Sequence, residues 1–439
     1  MLALRLTRSA HPAVQLRRLA VATASAATGF LLLSTLGHAL AHPESSTASV
    51  LRLIWCAVPL AATVHLALAV ARTDPGTRPR PGLAAIGLGP ARLMAVSAMT
   101  TALSTLLGSA LSLLLFLHLR GDLTGMPFDG AAEDFLAADH PLPLPAALTL
   151  LALVPVTAST GVALMLRPRD ARLADRTAPR PAGNRASPSA RKASGDPRAA
   201  RVGAGGPPSG GGTPQAQTSE PTAPADSAPE TQPHRPNPTA LPWGAALLAT
   251  GLAVEGYASR TAPTPAGGTV TLPTGLPTAP TAVLLGWILT ALGLALAGPG
   301  LTHLCGRLLQ AVRPGALRLL AGRGLMEEAS RVGRPLGVVC AVASGAYTVA
   351  ALYDTNDPSS GPLTTLGAVV VAGCTVATLL TAAVEARQAR AGTTAALLRL
   401  GAPGRTLRTA AALRTGALLT LFVPLTLVVA ELAALPLSR

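Results

Sequence analysis

The residues of this chain that could do chemistry are sparse, and none stands at a spacing that catalysis or metal binding requires. Five carboxylates, Asp122, Asp129, Glu133, Asp134 and Asp139, crowd the stretch from Arg120 to Leu142. They could serve as metal ligands or catalytic acids, but no D-x-D-x-D-G loop or paired spacing accompanies them, so a solvated loop is the expectation. Cys56, Cys305, Cys340 and Cys374 lie inside or at the ends of apolar runs with no zinc spacing, as small buried thiols do. H-E-x-x-H and G-x-S-x-G are missing, as is the G-x-x-x-x-G-K-[ST] loop that cradles nucleotide phosphates. The chain is therefore read as a non-enzyme that carries no cofactor and does not itself hydrolyse ATP.

The remaining candidates are ionisable groups inside apolar runs: His38, His65, Glu255, Arg414 and Glu431. A charge held in a membrane is costly and by default functional. Glu255, Arg414 and Glu431 fall near run ends, where a long side chain reaches the interface at little cost, so an interfacial role is expected. His65 lies deeper and is expected to bond to a neighbouring helix.

Composition says what must position these groups. Hydrophobic residues make up 49% and charged ones 13%, too apolar a balance for a soluble domain. Aromatics at 3% leave no stacking platform for nucleic acid or sugar. Nine apolar runs are long enough to cross a ~30 Å hydrocarbon core. They are Leu19–Ala41, Leu53–Ala71, Leu93–Leu119, Pro143–Leu166, Leu241–Ala258, Ala282–Leu304, Pro335–Tyr353, Leu363–Val384 and Thr415–Leu435. For the first run a signal peptide competes, because Ala39-Leu40-Ala41 has the small-x-small cleavage pattern. Its length argues instead for a retained span. Residues 167–240, rich in Pro, Gly, Ser and Thr, cannot bury a core and read as a disordered cytoplasmic linker.

Two stretches repeat. Thr393 to Leu435 joins a basic amphipathic segment, a Gly/Pro break and a span. Leu83 to Leu119 does the same, and placing Gly87 on Gly401 gives a gapless offset of 314. Upstream, Ala3-Leu4-Arg5-Leu6 recurs as Ala316-Leu317-Arg318-Leu319, an offset of 313. Matches at nearly one offset, each leading into a span, indicate an internal duplication.

Leu398-Arg399-Leu400-Gly401-Ala402-Pro403-Gly404-Arg405 resembles the L-R-x-L-G-A-x-x-R elbow of the FtsX-like permease family, the membrane subunits of a class of ABC transporters. Ile86-Gly87-Leu88-Gly89-Pro90-Ala91-Arg92 resembles the related G-L-S-P-A-R variant. The family often carries a Glu some eight residues later, where this chain has Thr100 and Arg414. The resemblance implies an all-α polytopic permease in two related modules. The first (1–166) has four spans, two connecting spans occupy 241–304, and the second module (305–439) has three spans without the family's fourth. It further implies that a separate cytoplasmic ATPase dimer docks on elbow residues Gly87, Pro90, Arg92, Arg399, Gly401, Pro403 and Arg405. Gly and Pro would shape the break and Arg would meet acidic groups. A non-transporting regulator that passes ATPase motion outward is a second reading. A secondary transporter is a third, though the spans offer almost no midplane carboxylates for it. Nothing in the sequence names a substrate.

Arginine clusters at 1–18, 72–92, 167–201, 307–334 and 387–408 alternate with acidic or nearly uncharged loops along the nine runs. The positive-inside rule then puts the N-terminus, the linker and both elbows in the cytoplasm of a plasma-membrane protein. Reporter tags at Ser194, Arg323 and Arg390 should read cytoplasmic, and tags at Asp134 and Asp357 external. A cytoplasmic signal at Asp357 would break the nine-run order.

Overall fold

A computed structural model describes residues 12–73, 90–123, 130–133, 136–166, 240–261, 269–270, 279–311, 315–352, 362–401 and 403–435. The expected linker lies outside these residues except for Ala240. Among them the chain is helical apart from turns and a two-residue antiparallel ladder, Thr269–Val270 against Ala279–Pro280. The helices are α1 (Pro12–Ala41), α2 (Ser46–Trp55), α3 (Ala57–Thr73), α4 (Pro90–Arg120), α5 (Leu144–Met165), α6 (Ala240–Thr261), α7 (Thr281–Ala311), α8 (Ala316–Leu352), α9 (Pro362–Ala389), α10 (Ala391–Arg399) and α11 (Gly404–Ala434). Helix is the only open structure that satisfies every backbone donor and acceptor inside lipid, which is why the apolar runs all take it.

Eight helical stretches are long and apolar enough to cross a membrane, so the chain is a multi-pass membrane protein by length and composition. They correspond to eight of the nine apolar runs. The ninth, α6, has 22 residues but is diluted by Trp243, Glu255 and Tyr257. It nonetheless packs along α7.

The helices reach well past the apolar runs at their basic ends. The basic stretch 307–334, expected to be a loop, is mostly helix: α7 runs on to Ala311 and α8 starts at Ala316. Its Leu, Ala, Arg, Glu and Met residues are good helix formers, and charge only removes them from lipid. α8 therefore carries about 28 Å of helix before its apolar part begins.

Two groups of helices share one bundle. α1 is the axis of the first, with Leu31, Leu32 and Leu33 buried against α3, α4 and α5. α8 is the axis of the second, between α7 on one side and α9 and α11 on the others. In the trios α1, α3, α4 and α8, α9, α11 the first helix packs more on the third than on the second, and the second and third scarcely meet. α4 spans 90 to 120 and α11 spans 404 to 434, an offset of 314 at both ends. α3 and α9, second in these trios, pack on each other and join the halves. There Thr28 and Thr63 share a hydrogen bond of 2.9 Å, and the Cys374 thiol lies 3.9 Å from the Thr63 hydroxyl.

Close backbone approach holds the second group together. A side chain at Gly298 of α7 would collide with the Gly333 carbonyl of α8, and one at Gly333 with the backbone of Pro299. Small residues at such crossings let helices gain dispersion and Cα–H···O contacts in a solvent as apolar as themselves. Gly333→Val should lower stability by about 2 kcal/mol or more, because rigid backbone cannot yield. Gly373→Ala, where nothing lies within 4 Å, should be neutral or stabilising by about 0.5 kcal/mol. Thermal unfolding in detergent compares the two. Equal losses would mean that the α7–α8 contact does not hold the bundle.

Candidate functional site

The second elbow is a helix–turn–helix at the basic end of the bundle. α10 follows α9 after one irregular residue, Arg390, whose φ of −86° and ψ of −10° are close to helical. α10 is thus an outward continuation of α9 and not a detached helix. None of its residues is buried. The chain turns at Leu400 and Gly401, the latter at φ +86°, the left-handed region open to glycine. Pro403, at φ −68° and ψ 133°, then sets the start of α11 in extended geometry. Arg399, Gly401, Pro403 and Arg405 are all exposed. Leu400 at the tip is 83% exposed, beside an exposed Leu398. Isolated exposed leucines are ordinary in lipid, but these lie among arginines, beyond the apolar run. At the first elbow Pro90 is the first residue of α4 and Arg92 is exposed. Gly87 lies outside the described residues.

Both limbs of the second elbow are fastened to α8. On the α9–α10 side, Arg390 Nε lies 2.7 Å from Glu328 Oε1, and the Glu328 side chain is only 13% exposed. The Arg390 carbonyl caps the joint, accepting from the Thr394 N–H at 2.9 Å and the Thr393 hydroxyl at 2.9 Å. On the α11 side, Arg414 Nη2 donates to the Leu320 carbonyl at 3.1 Å, and its guanidinium covers the bare Cα of Gly324. Glu328 also feels the charges of Arg414, Arg331 and Glu327. A half-buried pair of this kind adds little net energy, but losing one partner strands the other charge. Arg72 of α3 extends the cluster, with Arg334 and Glu385 within electrostatic reach.

The groups expected at the membrane interface have partners on neighbouring helices. Glu255 is fully buried and accepts from the Thr290 hydroxyl of α7 at 3.0 Å. Its burial follows from the tight α6–α7 crossing at Gly251 and Gly286. The Tyr347 hydroxyl donates to Glu431 Oε1 at 2.8 Å, and the Thr348 hydroxyl to the Ala430 carbonyl at 3.3 Å. These two bonds fasten α8 to α11 at the end opposite Arg414. His38 stacks on His42.

The acidic loop is not simply solvated. Arg120, nearly buried, pairs with Asp122 at 3.3 Å and donates to the carbonyls of Ala138 and His140. The turn so formed drives Leu136 into the core against Leu33, Phe116 and Ala147. All four cysteines are free and buried, as their apolar setting implied. Among the described residues no three His, Cys, Asp or Glu side chains are placed to hold a metal ion.

No protein-family model, curated protein or solved structure matches this chain.

Sequence reading located the elbow but missed Glu328 and Arg390 as partners, which lie 62 positions apart. Their only signal was two adjacent glutamates, Glu327 and Glu328, inside an arginine-rich stretch. At Gly401 the constraint is conformational, since no atom would meet an added Cβ within 4 Å. Gly401→Val should open the turn by about 1–2 kcal/mol, roughly tenfold in the exposed population. Gly401→Asn, which tolerates positive φ, should behave like the parent. Limited trypsin cleavage at Arg399 and Arg405 reads this directly. Equal cleavage of all three proteins would show that the turn does not need its left-handed residue.

Proposed function

We propose that this chain is the membrane subunit of an ATP-driven permease resembling the FtsX-like family, with its second elbow the docking point for a separate ATPase. The observation carrying this reading is the elbow itself, an exposed turn bearing Leu398, Arg399, Leu400 and Arg405 where two long helices meet. Apolar and cationic groups are combined at a tip whose Leu398, Arg399, Leu400 and Arg405 are all exposed. That is the chemistry of a plug entering an acidic-rimmed, apolar groove on a soluble partner.

Three further features support the reading. The matching offset of α4 and α11, and the matching contact order in the two groups, favour two modules descended from one. α6 would cross the membrane beside α7 as a ninth span, with Glu255 shielded by Thr290. The arginine alternation then places the N-terminus and elbows on the cytoplasmic side of the plasma membrane. In this scheme Gly401 and Pro403 shape the second elbow, and Gly87, Pro90 and Arg92 have the same part in the first. Arg399 and Arg405 meet the partner's carboxylates. The substrate is left open by this reading.

Purification of the tagged chain from its native membranes should bring down a nucleotide-binding subunit with ATPase activity. Arg405→Glu should insert and accumulate normally yet weaken that association about fivefold, on the order of 1 kcal/mol, with a steeper loss at low salt. Matched reversal of Arg92 should act in the same direction but more weakly. Absence of any nucleotide-binding subunit, or full association of both variants, would overturn the permease assignment.

A further inference from the structure

We propose that the basic-end extension of α8 is a lever geared to the second elbow, with Glu328 and the Leu320–Gly324 turn as its two points of attachment. The inference rests on the elbow being the part that a partner moves, but the gearing itself follows from contacts within the chain.

α10 has no buried residue, so packing cannot carry its motion into the bundle. What does connect it is polar. Arg390, at the joint of α9 and α10, grips Glu328 at 2.7 Å. Arg414, on α11 beyond the turn, grips the Leu320 carbonyl at 3.1 Å, two turns earlier on α8. α9 and α11 scarcely touch, since α8 lies between them. The elbow is therefore a bridge over the end of α8, attached once on each side. A displacement of the turn must drag α8 or break one of these contacts.

α8 is built to respond. Seven residues beyond Glu328 it contains Pro335, which removes the bond to the Arg331 carbonyl and permits a bend. At that level Gly333 and Gly337 press against Gly298, Pro299 and Leu294 of α7. This side-by-side pair of prolines and glycines is a bearing: the backbones touch there, and neither helix is hydrogen-bonded throughout. Below it, Tyr347–Glu431 and Thr348–Ala430 keep α8 and α11 together. The predicted motion is a swing of the 316–334 segment about Pro335, with α11 following. Glu328, Arg390 and Arg414 are positioning residues in this scheme.

The test uses the full chain in lipid nanodiscs, with its four buried cysteines replaced by serine and nitroxides at Arg323→Cys and Arg399→Cys. Pulsed electron-spin measurements should give one narrow distance in the parent. Arg390→Glu should broaden that distribution at least twofold, and so should Glu328→Arg. The exchanged pair, Glu328→Arg with Arg390→Glu, should return it towards the parent width. Rescue by exchange would show that the attraction between positions 328 and 390, and not either side chain alone, fixes the elbow on α8. Gly324→Ala, a mild change that displaces the Arg414 guanidinium, should broaden it to a lesser degree. Parent-like widths in the single variants would overturn the gearing, as would an exchanged pair as broad as the singles. With a nucleotide-binding subunit bound, nucleotide should change the distance from Arg92→Cys to Arg323→Cys and leave that from 323 to 399 fixed. The reverse pattern would also overturn the lever. Should the unlabelled parent chain bind no such subunit, the width measurements still decide the gearing, and the permease reading alone falls.

Discussion

Within a bilayer a leucine gains nothing by leaving lipid for another leucine, so the helices of this chain are held by what lipid cannot offer. One such device is close approach of backbones, as where Gly298 meets Gly333. The other is a hydroxyl or guanidinium that donates to a carbonyl of a neighbouring helix. Ser25 donates to the Thr105 carbonyl at 2.8 Å, Ser109 to that of Leu151 at 3.1 Å, and Arg414 to that of Leu320 at 3.1 Å. Many large aliphatic side chains meanwhile point outward, including Leu103, Leu106, Leu107 and Leu111 of α4. In a soluble protein that distribution would be an aggregation hazard. Here it is the expected partition between a polar, close-packed interior and an apolar rim.

The two devices are used in different proportions in the two halves. The first group is laced by buried hydroxyls around α1. The second group relies on glycine contacts between α6, α7 and α8, together with a few polar ties at the two ends of α8 and α11. At some of these glycine crossings backbone meets backbone, as at Gly298 and Gly333, and at others a side chain of the facing helix fills the gap, as Met326 does at Gly306.

Much of this architecture was legible in the sequence. Eight of the nine apolar runs became helices able to span a membrane, and the break at Gly401 and Pro403 fell where their backbone preferences put it. What hydropathy hid was the length of the helices, because it marks the edge of lipid and not the end of hydrogen bonding. The stretch around Glu327 and Glu328 accordingly read as loop, although its residues favour helix. The site partners were hidden for a different reason. Arg390–Glu328, Arg414–Leu320 and Glu255–Thr290 join residues 35 to 94 positions apart. Local pattern carries no information about which helix faces which. Leu136 escaped notice because one leucine in an acidic loop has no period to betray that it faces the core.

The α3–α9 contact has a consequence for the origin of such a chain. If the halves descend from one shorter protein, the residues at this contact were once the same surface on two separate copies. Second helix meeting second helix is the arrangement of an isologous dimer, in which one patch faces its own image. Fusion through the 167–240 tract would then have freed each side of that patch to diverge. At the offset of 314, Thr63 answers to Ala377 and Cys374 to Leu60, and such divergence would account for both differences. The covalent connection is, on this view, younger than the assembly it joins.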